Sequence, residues 1–402
     1  MSRLAALRGD LDMMPSPVEG RPGLLIRDVF EYAEGALIIP PPLMPSLRCF
    51  DGQHTLSDLS AAVAKATGSA EAPEIAGQLA RLLGEHGFLL NEDLELRREQ
   101  RHRLFRESGR REPSHAGSAY PNEPAALRTA LHGYVDPAGI AAGSGVAAIA
   151  APHVSPSGGW QSYRAAYQAL GPAHSDRTFV ILGTSHYGAA DRFGLTRKPF
   201  VTPLGTTRVA SAIVEELARQ PAAVMEDYCH AVEHSIEFQV LFLQWLYGPD
   251  VRVAPVLCGP FVDGIRGSSS PEDDPGVHAF LETLGEIAAR EGDRLCWVLG
   301  IDMAHQGRRY GDFFTARAQQ QEMQTVEARD RQRIERILAG DADGFWDLVQ
   351  QNRDDLRWCG ASPLYTFLKA LPGLAGTLHR YEQWNIDEHS VVSFAALSFE
   401  RR

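Results

Sequence analysis

Thr178-Phe-Val-Ile-Leu-Gly-Thr-Ser-His186 is an apolar run of strand length that ends in a histidine. Two other runs end the same way, Val146-Ala-Ala-Ile-Ala-Ala-Pro-His153 and Leu295-Cys-Trp-Val-Leu-Gly-Ile-Asp302-Met-Ala-His305. Such runs read as strands. Helical stretches alternate with them, and the order β–α–β–α predicts an α/β domain with a mostly parallel sheet and helices on both faces. Ligands of such sheets bind in the crevice beyond the carboxyl ends of the strands. His153, His186, Asp302 and His305 are therefore expected to meet there, although they are far apart in sequence. Three imidazoles and a carboxylate in one crevice point to a metal or acid–base site. One such histidine alone would read as a polar residue at a strand end; the same placement three times favours a site.

Working outward, helices are expected over 160–170, 207–220, 233–247, 276–290, 315–338 and 361–371. In the third of these Ile236, Val240, Leu243 and Leu246 recur near helical period. A short extended segment is expected over 195–204, and strands over 251–258, 376–384 and 390–399. Residues 264–276, rich in Ser, Pro and Asp, read as a flexible loop. No internal repeat is present.

The first hundred residues have another character. Leu24-Leu-Ile-Arg-Asp and Ala36-Leu-Ile-Ile-Pro are short β-like runs. Asp51-Gly52 signals a turn, and Thr55 or Ser57 is suited to cap a helix running to Ala66. A second helix is expected from Ala72 to His86, ending at Gly87, before the apolar Phe88-Leu-Leu. This order resembles the small winged-helix-like peptide-binding domains related to PqqD. Residues 91–112, dense in arginine (Arg97, Arg98, Arg101, Arg103, Arg106, Arg110, Arg111), read as a helical linker or solvated face. The expected division is 1–108 for the small α+β domain and its charged linker, and 109–402 for the α/β domain.

The totals narrow the function. Of 402 residues, 44% are hydrophobic and 22% charged, enough to bury a large core. The 39 Lys plus Arg against 51 Asp plus Glu give a net charge of -12, which argues against a nucleic-acid partner. The five cysteines are odd in number and form no CxxC pair, so neither a disulfide framework nor a zinc knuckle is indicated. A reducing compartment fits. The N-terminal stretch has no signal-peptide core, and no apolar run approaches the roughly 20 residues that span a bilayer. The expectation is a cytoplasmic protein without a membrane partner.

Eight short motifs then occur in order: Ser114-His-Ala-Gly-Ser-Ala-Tyr-Pro121, Ala151-Pro-His153, Leu182-Gly-Thr-Ser-His186, Thr202-Pro-Leu-Gly205, Glu233-His-Ser-Ile-Glu237, Pro255-Val-Leu-Cys-Gly259, Asp302-Met-Ala-His305 and Cys359-Gly-Ala-Ser-Pro363. Together they resemble the Memo family, which includes the B component of bacterial systems pairing a Memo protein with AMMECR-type and radical-SAM proteins. The resemblance covers residues 113–402. It implies a three-layer α/β/α fold like that of the LigB-type extradiol dioxygenases, which use non-haem iron. It also implies metal ligation by His153, His186 and Cys359, with His305 in the place of the dioxygenases' acid–base histidine and Asp302 beside it. His115, His234 and Glu237 are expected behind the ligands or against the substrate, with Glu237 orienting a ligand histidine; His234 and Glu237, three apart, are alternatively ligands themselves.

The residue chemistry agrees with these roles. Imidazoles bind Fe, Cu and Zn, and a thiolate adds preference for softer ions. Three protein ligands leave positions open for water or substrate. Cys359 opens an expected helix, whose N-terminus favours a thiolate. Asp302 and His305 are spaced for a carboxylate–imidazole pair. Where the family has Ala-Gly-Tyr after its first histidine, this chain has Val154-Ser-Pro-Ser-Gly-Gly-Trp160; an aromatic is replaced by Gln306, and Ser362 stands before Pro363. The pocket lining therefore differs. The leading function is a metal-dependent redox enzyme, with Fe(II) or Cu favoured and Zn possible, acting on a small molecule or peptide. The alternatives are an accessory protein partnering a radical-SAM or AMMECR-type protein, and a zinc hydrolase using His305 as base. No G-x-S-x-G, P-loop or G-x-G-x-x-G motif supports other chemistries.

Overall fold

The computed structural model describes residues 3–16, 18–137, 145–267 and 269–401. It divides into two units, Met1–Glu107 and Ser108–Arg402. In the smaller, β1 (Asp12–Pro15), β2 (Leu24–Arg27) and β3 (Ala36–Ile39) form an antiparallel sheet in that order. Helix α1 (Leu56–Thr67) starts at a reciprocal cap between Thr55 and Asp58 and stops at Gly68, which takes the left-handed conformation at φ 67°. Helix α2 (Ala72–Glu85) packs Ala76, Leu79 and Leu83 with Leu59, Val63, Ile26, Ile39 and Phe88. The arginine-rich stretch forms α3 (Glu92–Glu107), which buries only Leu94 and Phe105.

The larger unit is an α/β fold. Its strands are β4 (Val146–Ala151), β5 (Thr178–Thr184), β6 (Phe193–Leu195), β7 (Val201–Thr202), β8 (Gly205–Thr206), β9 (Arg208–Val209), β10 (Ala223–Met225), β11 (Arg252–Cys258), β12 (Leu295–Gly300), β13 (His305–Gly307), β14 (Leu374–Asp387) and β15 (Ser390–Arg401). The main sheet runs β10-β6-β11-β5-β12-β4-β15-β13, with β9 on β11 and β14 on β15. Strands β11, β5, β12 and β4 pair in parallel at its centre; β15 joins antiparallel to β4.

Alternation along these strands feeds two cores, one on each face. Val180, Leu182, Ala254, Val256, Trp297 and Leu299 point to one, and Phe179, Ile181, Val253, Leu257, Cys296 and Val298 to the other. Helices α4 (Pro124–Tyr134) and α5 (Pro156–Tyr167) cover the second face. The first face is covered by α6 (Ser211–Leu217), while α7 (Cys229–Val232) is a single turn leading into α8 (Glu237–Tyr247), again on the second face. After the short α9 (Val262–Arg266), α10 (Pro275–Glu291), α11 (Glu322–Ala339), α12 (Ala342–Gln350) and α13 (Ala361–Ala370) complete the cover of the first face. Three layers result, with the central strands buried on both sides. Among the described residues no helix is long and apolar enough to cross a membrane.

Several boundaries differ from expectation. Helix α6 starts at Ser211 because Arg208–Val209 pair with β11 instead. Helix α8 starts at Glu237, and residues 233–236 form a turn. Helix α11 starts at Glu322, after a loop in which Gln319 and Gln321 have positive φ. The expected loop over 264–276 contains a 3-10 turn at Pro271–Asp273, and its Ser268 lies outside the described residues. Helices α4 and α12 were not expected. Arg111, read as part of a solvated run, is 1% exposed, because Glu237 and two backbone carbonyls inside the domain take its guanidinium.

Candidate metal centre

The parallel strands β4, β5 and β12 deliver their carboxyl ends side by side, and the functional side chains follow from that. His153 stands two residues past β4. Its backbone N–H donates to Asp302 Oδ1 at 2.9 Å and its Nδ1 to the carbonyl of Gly300 at 3.0 Å. A carbonyl only accepts, so the proton sits on Nδ1, and Nε2 faces Cys359 Sγ at 3.3 Å and Asp302 Oδ2 at 3.4 Å. His186 stands two residues past β5. Glu233 takes its backbone N–H and, at 2.8 Å, its Nδ1, which leaves Nε2 available.

His234 arrives on the turn before α8. A side chain at Gly183 or Gly300 would collide with Ser235, so these strand glycines let the turn lie directly over the strand ends. Ser235 Oγ fastens it to the Thr184 carbonyl at 2.8 Å. The His234 ring is 5.1 Å from those of both His153 and His186, and nearly parallel to the latter. One ring nitrogen from each of His153, His186 and His234 lies within 4.8 Å of the others.

Cys359 comes from the segment before α13. Its Sγ is 3.3 Å from His153 Nε2. Gly360 donates its N–H to the Asp302 carbonyl at 3.0 Å, and a Cβ on Gly360 would strike Asp302 and Ile301. His305 Nδ1 donates to the carbonyls of Met303 (2.9 Å) and Arg357 (3.1 Å), and its ring meets Tyr310 edge-on at 4.9 Å. His305 N–H donates to the Leu356 carbonyl at 2.9 Å, which ties the Asp302–His305 loop to the Cys359 segment.

His115 lies behind His234, its ring 5.4 Å away. Glu237 holds its backbone N–H at 3.0 Å. The same carboxylate accepts from Tyr120 at 2.5 Å, from Ser114 Oγ at 3.0 Å and from Arg111, with which it forms an ion pair wholly shut from solvent.

These surroundings set the proton affinities. Burial pushes the Asp302 carboxyl up, to about 6, against the pull of His305 and the His153 amide. Burial also lowers His305, which Asp302 only partly offsets, so the imidazole is favoured neutral. Burial and then the neighbouring His186, His153 and His115 hold His234 well below the ordinary histidine range. For His186 burial acts downward, but Glu233 and Cys359 outweigh it and the imidazole is raised. Burial would raise the Cys359 thiol; His153 and His186 beside it leave it lowered.

Against the expectations, His153, His186 and Cys359 come together, and His305 and Asp302 lie alongside. His234 joins the two histidines rather than standing behind them. Glu237 bonds to Arg111, Ser114, His115 and Tyr120, so it holds His115 and the 111–120 segment rather than His153 or His186. The residue that orients His186 is Glu233, four positions earlier in the same motif. Asp302 and His305 form no hydrogen-bonded pair: Asp302 faces His153, and backbone carbonyls occupy His305 Nδ1. Gln306, the departure from the family's aromatic noted in the sequence, donates to the carbonyls of Asp355 and Leu356 at 3.1 and 3.3 Å.

The donor set suits a transition ion. Tetrahedral ligands about 2.0–2.3 Å from one ion stand roughly 3.3–3.8 Å from each other. The His153–Cys359 contact already has that spacing and the three histidines approach it. Two of the imidazoles have Nδ1 tied to an acceptor, the arrangement that fixes the tautomer of metal-binding histidines.

The chain is similar to known proteins over most of its length. The family model for Memo-like proteins matches residues 111–398. A MEMO1 family protein of Aquifex aeolicus is 29% identical over 374 residues, 90% of this chain and 92% of that protein. MEMO1 family proteins of Desulfurococcus amylolyticus and Methanopyrus kandleri are 27% and 26% identical, each over 72% of this chain and 99% of their own length.

Proposed function

Since the chain belongs to the Memo-like family, we propose that His153, His186, His234 and Cys359 hold one transition-metal ion, and that the protein is a metal-dependent redox enzyme. One observation carries this reading: three imidazoles converge at the strand ends, two of them with Nδ1 already committed, and the Cys359 thiol lies 3.3 Å from His153 Nε2. Ferrous iron or copper suits the nitrogen–sulfur donors best, and zinc is the competing ion. When bound, iron or copper would supply electron transfer toward dioxygen or an organic substrate.

The remaining work falls to this chain's own residues. Met303 and Arg357 carbonyls hold the His305 proton on Nδ1, so Nε2 is the atom that accepts a substrate proton. The lowered proton affinity of His305 keeps that lone pair available at neutral pH. Asp302 sets the angle of His153 through its backbone N–H and stabilises charge that develops on His305.

The test is metal analysis of anaerobically purified protein, followed by oxygen-uptake assays with catechols, phenols and thiols. His305→Gln is expected to keep the metal and lose about 10²- to 10⁴-fold of turnover. Cys359→Ala is expected to lose metal and turnover together. Wild-type protein that retains no metal, or loaded protein that turns over none of these substrates while binding a radical-SAM or AMMECR-type partner, overturns the reading.

A further inference from the structure

Asp330 lies on helix α11, outside every motif described above, and is fully buried. Its Oδ1 accepts from Trp358 Nε1 at 2.7 Å, and its Oδ2 from Tyr381 OH at 2.8 Å and Ser393 Oγ at 2.6 Å. Trp358 immediately precedes Cys359. Ser393 grips the loop between Asp302 and His305. Its Oγ accepts from Ala304 N–H at 2.9 Å, its carbonyl from Met303 N–H at 2.8 Å, and its own N–H donates to the Ala304 carbonyl at 2.9 Å. One carboxylate therefore leads by two short arms to the two loops that carry Cys359 and His305.

The backbone entering Cys359 needs such an anchor. Asn352, Arg353, Asp354 and Arg357 have φ of 54°, 56°, 51° and 55°, a region that non-glycine residues seldom occupy. Residues in such conformations persist where their surroundings over-determine them. Here the fixings are Asp354 Oδ2, which accepts Trp358 N–H at 2.9 Å, and Asp330, which holds the indole. Trp358 Nε1 can only donate and both hydroxyls are able to, so the group can accept from all three, although burial raises its carboxyl. Packing alone does not call for a charge there, since a buried carboxylate costs stability.

We propose that Asp330 is a positioning residue that sets Cys359 and His305 relative to each other, its carboxylate gripping one loop through Trp358 and the other through Ser393. The proposal rests on the metal-centre reading for its functional meaning, but its geometry is testable without metal.

The experiment uses full-length, metal-free protein with two readouts. The first is the rate of Cys359 alkylation by iodoacetamide, which is selective because the other four cysteines are buried. The second is hydrogen exchange in residues 302–306. Trp358→Phe removes the first arm and should speed alkylation about tenfold, the scale of one lost hydrogen bond to a charged acceptor. Ser393→Ala removes the second arm and should speed exchange by about the same factor. Asp330→Asn offers one oxygen in place of two, so at least one readout should rise. Tyr381→Phe deletes the third hydrogen bond, which leads to neither loop, and should leave both readouts within about twofold of wild type.

If Tyr381→Phe behaves like the other variants, Asp330 is an ordinary core group and the proposal falls. It also falls if Trp358→Phe and Ser393→Ala leave both readouts unchanged. Should Asp330→Asn fail to fold, the three single-donor variants still decide. Cobalt loading separates the two readings. A sulfur-to-cobalt absorption present in wild type and weakened in Trp358→Phe but not in Tyr381→Phe supports both. Wild-type protein that takes up no cobalt removes the metal reading, while alkylation and exchange still judge Asp330.

Discussion

Glu237 and Asp302 are both buried carboxylates at the same crevice, and their proton affinities move in opposite directions. Burial alone would raise each. At Glu237 the Arg111 guanidinium outweighs burial, helped by His115 and Tyr120, and the carboxyl is driven down. Asp302 has imidazoles for neighbours, among them His153 Nε2 at 3.4 Å, and burial outweighs them, so the carboxyl rises to about 6. Partner charge rather than depth decides the sign. The two regions accordingly have different jobs. The Arg111–Glu237 region is electrically complete and fixes the 111–120 segment and His115. The Asp302 region offsets its buried carboxylate only in part, through His305 and His186.

The largest expected effect comes from breaking the complete region. Arg111→Ala leaves Glu237 buried and uncompensated, and should cost about 3–5 kcal/mol of unfolding free energy in urea titration. Asp302→Asn in metal-free protein keeps an oxygen for the His153 N–H and removes an unmatched charge, so it should stay within about 1 kcal/mol of wild type. If both variants lose stability equally, the contrast between the regions is wrong.

A smaller effect should separate ligand support from scaffold. Glu233→Gln keeps the shape of the group that holds His186 but weakens the bond to Nδ1. Metal affinity should fall about 10- to 100-fold, read by competition with a chromophoric chelator. Glu237→Gln changes no contact of His153, His186 or Cys359. A Glu233→Gln protein with wild-type affinity would place Glu233 with Glu237 as scaffold.

The same contrast explains what the sequence makes legible. The strand-end histidines can be read because a buried parallel strand is a continuous apolar run and its end is where polar residues reappear. His305 and Asp302 follow from the same strand-end pattern, whereas Cys359 comes from the Memo resemblance. Arg111 is not legible, since in an arginine-rich stretch nothing local distinguishes the one that turns inward; its partner is 126 positions away. Asp330 is hidden likewise in a charged helix, where only the fold brings Trp358 and Ser393 to it. Glu233 could have been found: two glutamates four apart flank His234, and the backbone turn at 233–236 aims them at different histidines. Helical period pointed to a helix through 233–236 and so concealed that turn.

The gentlest test of the contrast is acid. Glu237 has a folded proton affinity below that of an unfolded glutamate, near pH 4.3. As pH falls below that value the unfolded chain takes up a proton that the folded protein resists. Stability from this group is therefore fully present above about pH 4.3 and is lost as pH drops further, by up to about 1.4 kcal/mol per pH unit. Other carboxylates titrate in the same range, so the informative quantity is the stability of wild type minus that of Glu237→Gln. That difference should be flat above about pH 5 and shrink steadily below it. In the Arg111→Ala background the shrinkage should vanish or reverse, because without the guanidinium, burial raises Glu237 as it raises Asp302. A difference that stays constant down to pH 3 would mean that Glu237 and Arg111 are not the matched pair that distinguishes this region from its neighbour.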